Sequence, residues 1–148
     1  MKKTLKALAA VICGVLMLSL TACQKDSELI LGTWIENEAT YTSIQNGESF
    51  SFSMLEPGET MEITYKNDGT YTSIYHSNEG DSEENGSWSI KDDILTINAV
   101  LDDIAELDAM DYHIDQLDKK TCNLTYNESG EDEDGPYTTT IVIKMTKK

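Results

Sequence analysis

The sequence predicts an all-β domain, an antiparallel meander of short strands closed as a barrel or stacked as a sandwich. Three observations carry this. From Leu29 onward, apolar and polar residues alternate in short runs separated by turn residues. Those runs are rich in Thr, Tyr, Ile and Val, the residues that strands favour. At 148 residues and 39% apolar content, the chain can bury one core and is too apolar to be disordered, despite a formal charge of −16. That charge comes from 27 acidic residues against 11 lysines, with no arginine. It argues against nucleic acid as a partner, because a phosphate backbone needs a cationic face. It argues equally against electrostatic docking on anionic lipid.

The first residues read as an address. Lys2, Lys3 and Lys6 are followed by a run from Ala7 to Leu20 that is apolar but for Gly14 and Ser19. The run is shorter than the roughly 20 residues that span a bilayer, as expected of a signal peptide. It ends in Leu20-Thr21-Ala22-Cys23, which resembles the bacterial lipobox. The resemblance implies that residues 1–22 are removed and that Cys23 carries a diacylglyceryl group. Acyl chains contribute about 0.8 kcal/mol per buried CH₂, so two or three of them anchor a protein without a membrane helix. The mature chain would start at Cys23 with a net charge of −19. Residues 23–30 are expected to be the lipidated N-terminus and a short tether, and residues 31–148 the domain. Lys25, Asp26, Ser27 and Glu28 resemble the surface-export signal of Bacteroidetes lipoproteins, a Lys followed by acidic residues after the lipidated Cys. The implied location is the outer membrane with the domain exposed at the cell surface; a periplasm-facing anchor is the alternative. With Cys23 modified, Cys122 would have no disulfide partner, and its alternating apolar surroundings predict a buried, inert thiol.

Strands are expected over residues 33–44, 49–55, 60–66, 70–76, 87–91, 94–101, 109–116, 122–128 and 137–146. Pro57 and Pro136 both fall in turns between them. Only Asp102 to Asp108 can form a helical turn, with Ile104 and Leu107 at helical spacing. Three hairpins can be placed in register. Lys66-Asn67-Asp68-Gly69-Thr70 fits a three-residue loop with Gly69 left-handed. It sets Tyr65 opposite Tyr71, Ile63 opposite Ser73 and Met61 opposite Tyr75, on one face. A two-residue turn at Asp92-Asp93 pairs Ile90 with Leu95 and Trp88 with Ile97. In the third, Ile114 opposes Leu124 and Tyr112 opposes Tyr126, with Leu117 in the loop, where it can close one end of the core.

In order along the chain come Leu31-Gly32-Thr33-Trp34, Asn67-Asp68-Gly69-Thr70-Tyr71, Gly86-Ser87-Trp88-Ser89-Ile90 and Leu95-Thr96-Ile97, then Ile114, Leu117, Leu124 and a final apolar strand. This order is similar to the lipocalin-like domains of small bacterial lipoproteins. The resemblance implies a small antiparallel up-and-down barrel of about eight strands. Gly32 and Trp34 would stand at the start of the first strand, with the Trp packed across the closed end. Lipocalins often pack an Arg on that Trp, and this chain has none, so that part of the pattern fails.

A search for chemistry finds little. His76 and His113 are the two histidines, and neither belongs to a recognisable nucleophile–base arrangement. There is no phosphate-binding Gly-rich loop and no Cys/His metal spacing. The expectation is a protein that is not an enzyme and uses no cofactor or metal. Two acidic stretches, Glu79 to Asn85 and Glu128 to Asp134, are expected to be solvated loops; neither follows the EF-hand order of calcium ligands. The aromatics Tyr65, Tyr71, Tyr75, Trp88, Tyr112 and Tyr126 fall on the predicted inward face. They either fill a small barrel, the simpler reading, or line a pocket for an amphipathic ligand. Two functions follow. One is a surface-tethered barrel that binds a small apolar or amphipathic molecule. The other is a solidly packed barrel that acts as a protein-interaction or inhibitor module in a surface complex. The state of the interior separates them. Beyond the N-terminal lipid no membrane contact is expected, and self-repulsion weakly favours a monomer.

Overall fold

The computed structural model describes residues 26–100 and 108–148. Its strands are β1 (Gly32–Gln45), β2 (Glu48–Ser53), β3 (Thr60–Tyr65), β4 (Thr70–Ser77), β5 (Gly80–Lys91), β6 (Ile94–Val100), β7 (Met110–Leu117), β8 (Thr121–Asp132) and β9 (Gly135–Lys147). Each strand from β3 to β9 pairs antiparallel with the next, and β9 returns to pair with β1. The result is a closed eight-strand barrel. β2 is an additional strand that pairs only with the far half of β1, from Thr40 to Gln45, while β3 takes the near half, from Gly32 to Glu36.

The three hairpin registers are those the residue pattern predicts. Tyr65 faces Tyr71, Ile63 faces Ser73 and Met61 faces Tyr75. Gly69 has φ 81°, the left-handed conformation the short loop requires. Ile90 faces Leu95 and Trp88 faces Ile97 across the Asp92-Asp93 turn, with Asp92 itself at φ 54°. Ile114 faces Leu124, and the rings of Tyr112 and Tyr126 meet at 5.8 Å. Leu117 differs from expectation: it is the last residue of β7, paired with Cys122, and packs on the core from within the ladder.

Two other expectations change. The stretch Glu79 to Asn85 is not a loop, because β5 begins at Gly80 and pairs along all of β4. Its acids alternate along a strand, so only part of their charge projects outward. Likewise, Glu128 to Asp132 belong to β8 and only Glu133 and Asp134 form the turn. The expected helical turn at Asp102 to Asp108 falls almost wholly on residues 101–107, outside the described residues; Asp108 and Ala109 have no regular structure.

One end of the barrel is plugged. Residues 26–29 make a helical turn, and Ile30 follows it into the core, fully buried. The folded unit therefore takes in a residue expected to be tether. Trp34 is fully buried beside Ile30 and donates its Nε1–H to the Ile30 carbonyl at 2.6 Å. The missing arginine has a substitute. Lys147 places its Nζ 4.9 Å from the Trp34 ring centroid and donates to the Leu29 carbonyl at 2.8 Å. Its stem passes Gly32, where a Cβ would lie 3.3 Å from the Lys147 Cε. Tyr65, Leu95, Cys122 and Met145 complete the buried layer above Trp34. Cys122 is fully buried, as expected, and burial pushes its thiol up to about 12.

Gly86 shows how tightly the wall is drawn in. A Cβ there would lie 2.1 Å from the Asn98 carbonyl oxygen and 2.5 Å from the Tyr71 ring, so no side chain fits between them.

Lys147 ties the end of β9 to the N-terminal turn through one cation–π contact and one hydrogen bond. Lys147→Ala should lower stability by about 1–2 kcal/mol in urea unfolding. Lys147→Arg should restore most of that loss, since a guanidinium can stack on the same ring.

Candidate functional site

Above the plug the barrel is hollow. A cavity of about 760 Å³ lies between the aromatic floor and the opposite end of the barrel. Tyr65, Tyr71, Tyr112, Leu124 and Met145 form its floor and are shared with the core. Met61, Ile63, Ser73, Tyr75, Ile97, Ala99, Met110, Ile141 and Ile143 form its walls. Strand alternation explains the set: on each of β3, β4, β6 and β9, every second residue is in contact with it.

β1 needs a special device to contribute. Its register on β9 shifts between Glu36 and Glu38, which makes Asn37 an extra residue, a β-bulge. Before the bulge, Trp34 and Glu36 face inward; after it, Ala39 does. Glu38 is turned outward, where Lys144 meets it at 2.9 Å. A regular strand would have sent both carboxylates inward. The bulge leaves Glu36 as the inward acid of β1.

Glu36 is only 4% exposed, yet among the described residues its carboxyl has no hydrogen-bond or ion-pair partner. Burial alone pushes its pKa up to about 7. The other polar groups are differently placed. Tyr71 donates its hydroxyl to Glu84 at 2.6 Å, and Tyr75 donates to Glu59. Burial, followed by the charge of Glu36, pushes Tyr112 up to about 12, and burial raises Tyr65 as well. All these phenols are protonated at neutral pH. Glu83, Glu84 and Asp108 also line the cavity, and among the described residues no lysine or histidine does.

Four of the six aromatics expected on the inner face, Tyr65, Tyr71, Tyr75 and Tyr112, line the cavity. Trp88 does not. Its Nε1–H donates to the Lys66 and Thr70 carbonyls at 3.1 and 3.0 Å, which draws the ring to the plugged end and edge-on to Tyr65 at 5.7 Å. Tyr126 does not either; it packs on Tyr112 and donates to Glu128 at 3.2 Å. Gly32 and Trp34 stand at the start of β1, with Trp34 across the plugged end. Asp26, Ser27 and Glu28 lie in the helical turn before Ile30; Cys23 and Lys25 lie outside the described residues. His76 and His113 are not in contact with the cavity and sit beside Asp81 at 3.0 Å and Asp115 at 3.2 Å.

The sequence reading missed Glu36. A signal was present, since it stands two residues after Trp34 and shares its face of the strand. A second missed feature is a lip. Tyr41 continues the face of Ala39 past the barrel and pairs with Phe52 of β2, with ring centroids at 5.1 Å. Phe50 and Phe52 stack at 5.4 Å and are 63% and 45% exposed.

No family model and no curated protein matches this sequence. Among solved structures, the chain is similar to a lipocalin-like protein from Bacteroides uniformis, with 13% identity and a TM-score of 0.47, over 78% of this chain and 97% of that one.

The buried carboxyl has a measurable signature. Its pKa is higher folded than the ordinary 4.5, so the folded state holds the proton more tightly. Its contribution to stability is full below pH 4.5, falls as pH rises to about 7, and is flat above that. Glu36→Gln should therefore gain roughly 2–3 kcal/mol over the parent at pH 8 and little at pH 4. Chemical denaturation of both chains across this range checks it.

Proposed function

We propose that this chain is a lipoprotein of the bacterial outer membrane, anchored through a lipid on Cys23 and exposed at the cell surface, whose barrel holds a small apolar or amphipathic ligand. The observation that carries the binding reading is the cavity. At about 760 Å³ it falls within the range of small-molecule sites. It is lined mainly by apolar and aromatic side chains, with a few polar groups among them. A solidly filled barrel would have favoured a purely structural or interaction role. The fold does not by itself fix the function, so the ligand class has to come from the site. The anchor and the surface location draw on the lipobox Leu20-Thr21-Ala22-Cys23 and on Lys25 with the acids after it.

A second reading, contact with a partner protein at the surface, is favoured by the exposed pair Phe50 and Phe52 on the lip. Exposed aromatics of this kind are common at recognition surfaces. The two readings are compatible, because the lip extends the same face that borders the cavity.

Native mass spectrometry of residues 24–148 purified from the host should show a bound small molecule of defined mass. Ala99→Phe, which intrudes into the cavity, should reduce its occupancy at least tenfold while the melting transition is retained. A chain that remains bare after exposure to apolar candidates would favour the interaction reading instead. For the anchor, intact-mass analysis should show residues 1–22 removed and a diacylglyceryl adduct on Cys23. Cys23→Ala should lose the membrane fraction, and protease added to intact cells should degrade the parent protein.

A further inference from the structure

We infer that the ligand of the cavity is an amphipathic amine, an apolar body ending in an ammonium group, and that Glu36 is the counter-ion that receives it. This rests on the reading of the cavity as a ligand site and names the class of ligand.

A glutamate that is 4% exposed normally has a hydrogen-bond donor or a cation beside its carboxyl, because an isolated buried charge is costly. Two polar pairs of the site follow that rule: Tyr71 meets Glu84 and Tyr75 meets Glu59. The Glu36 carboxyl borders the cavity without a hydrogen-bond or ion-pair partner among the described residues. For the ionised carboxylate the missing partner has to be a donor, since that form only accepts. A cation is the strongest such partner in a low-dielectric site.

The surroundings select against other head groups. Glu83, Glu84 and Asp108 border the same cavity and, among the described residues, no lysine or histidine does, so an anionic amphiphile such as a fatty acid would be repelled. A wholly apolar ligand would displace water from Glu36 and leave it unpaired. Tyr65, Tyr71 and Tyr112 present rings on the floor, and aromatic faces attract an ammonium group.

The proton completes the picture. The titratable groups that interact with Glu36 are the phenols of Tyr65 on β3 and Tyr112 on β7, while Tyr71 on β4 and Glu84 on β5 border the same cavity. On β9 the facing residue is Met145; Lys144 is turned out to Glu38, and Lys147 is held at the plug by Leu29. With no cation among the described residues that line the cavity, burial holds the Glu36 carboxyl up at about 7. Amine binding should therefore strengthen as pH rises through 7. A ligand that accepts a hydrogen bond from protonated Glu36 would show the opposite trend.

The test compares three probes with one chain length: octylamine, octanol and octanoate. The lipidated chain in nanodiscs of zwitterionic lipid is titrated calorimetrically, with empty nanodiscs subtracted. At pH 8, octylamine should bind at least tenfold tighter than octanol, with octanoate weakest. The amine's advantage should shrink several-fold at pH 5.5. Glu36→Gln should lose the advantage, binding octylamine no tighter than octanol, while its melting transition shows that the barrel is folded. Should that variant fail to bind octanol, the head-group and pH series on the parent protein decides the matter alone. Octanol binding as tightly as octylamine, or octanoate binding tighter, would overturn the assignment and leave the cavity reading standing. If none of the three binds, the assignment and the cavity reading fail together.

Discussion

β1 is held along both of its edges, and the barrel depends on this. One edge runs from Trp34 to Gln45 along β9; the other is divided between β3 and β2. Each remaining hairpin is local, made between strands adjacent in sequence, and a row of such hairpins alone is an open sheet with two exposed edges. The β1–β9 ladder removes the edges of the eight-strand wall and creates an inside. Trp34 and Lys147 sit at its lower end, where the first and last strands meet, so the plug and the closure reinforce one another. Because the two strands lie at opposite ends of the sequence, this pairing carries the largest loop-closure cost in the fold.

The bulge at Asn37 sits in that same ladder and decides what kind of interior results. It divides the acids of β1, sending Glu38 out to Lys144 and keeping Glu36 in. Below it the interior is packed with Trp34, Ile30, Leu95 and Cys122; above it the interior is open. A buried carboxyl without a partner works against stability, and the plugged end supplies the packing that tolerates it. Such conflicts between local chemistry and folding are expected where a protein binds something.

The acidic surface has a structural counterpart. Charges read as loops belong largely to β5 and β8, where alternate residues project from the barrel wall. On the outer face they meet few lysines, and the ion pairs Glu38–Lys144 and Glu62–Lys148 are exposed ones of small energetic value. The charge thus shapes the outside and the rim more than it holds the fold together. β2 departs from this pattern, with Ser and Phe alternating along an exposed strand. It places two aromatic rings at the lip, where a ligand or partner would first meet the protein.

The sequence by itself determined the elements and much of their pairing. Alternation of apolar residues located nine strands, and the turn chemistry of Gly69 and of Asp92-Asp93 fixed two registers, because a slip of one residue would turn every side chain to the wrong face. It also placed four cavity tyrosines on the inner face, since Tyr65, Tyr71 and Tyr75 follow from the first of those registers and Tyr112 from the β7–β8 hairpin. Tertiary structure decided the rest. The substitution of Lys147 for an arginine depends on the end of β9 lying beside the start of β1, a contact no local pattern encodes. Trp88 and Tyr126 have the right parity, but the Trp88 Nε1–H is drawn to the Lys66 and Thr70 carbonyls and Tyr126 packs on Tyr112, contacts that parity does not encode. That Glu38 turns outward while Glu36 stays in depends on a bulge in a ladder between the two ends of the chain, and the burial of Glu36 on a barrel that exists only once all eight strands have closed.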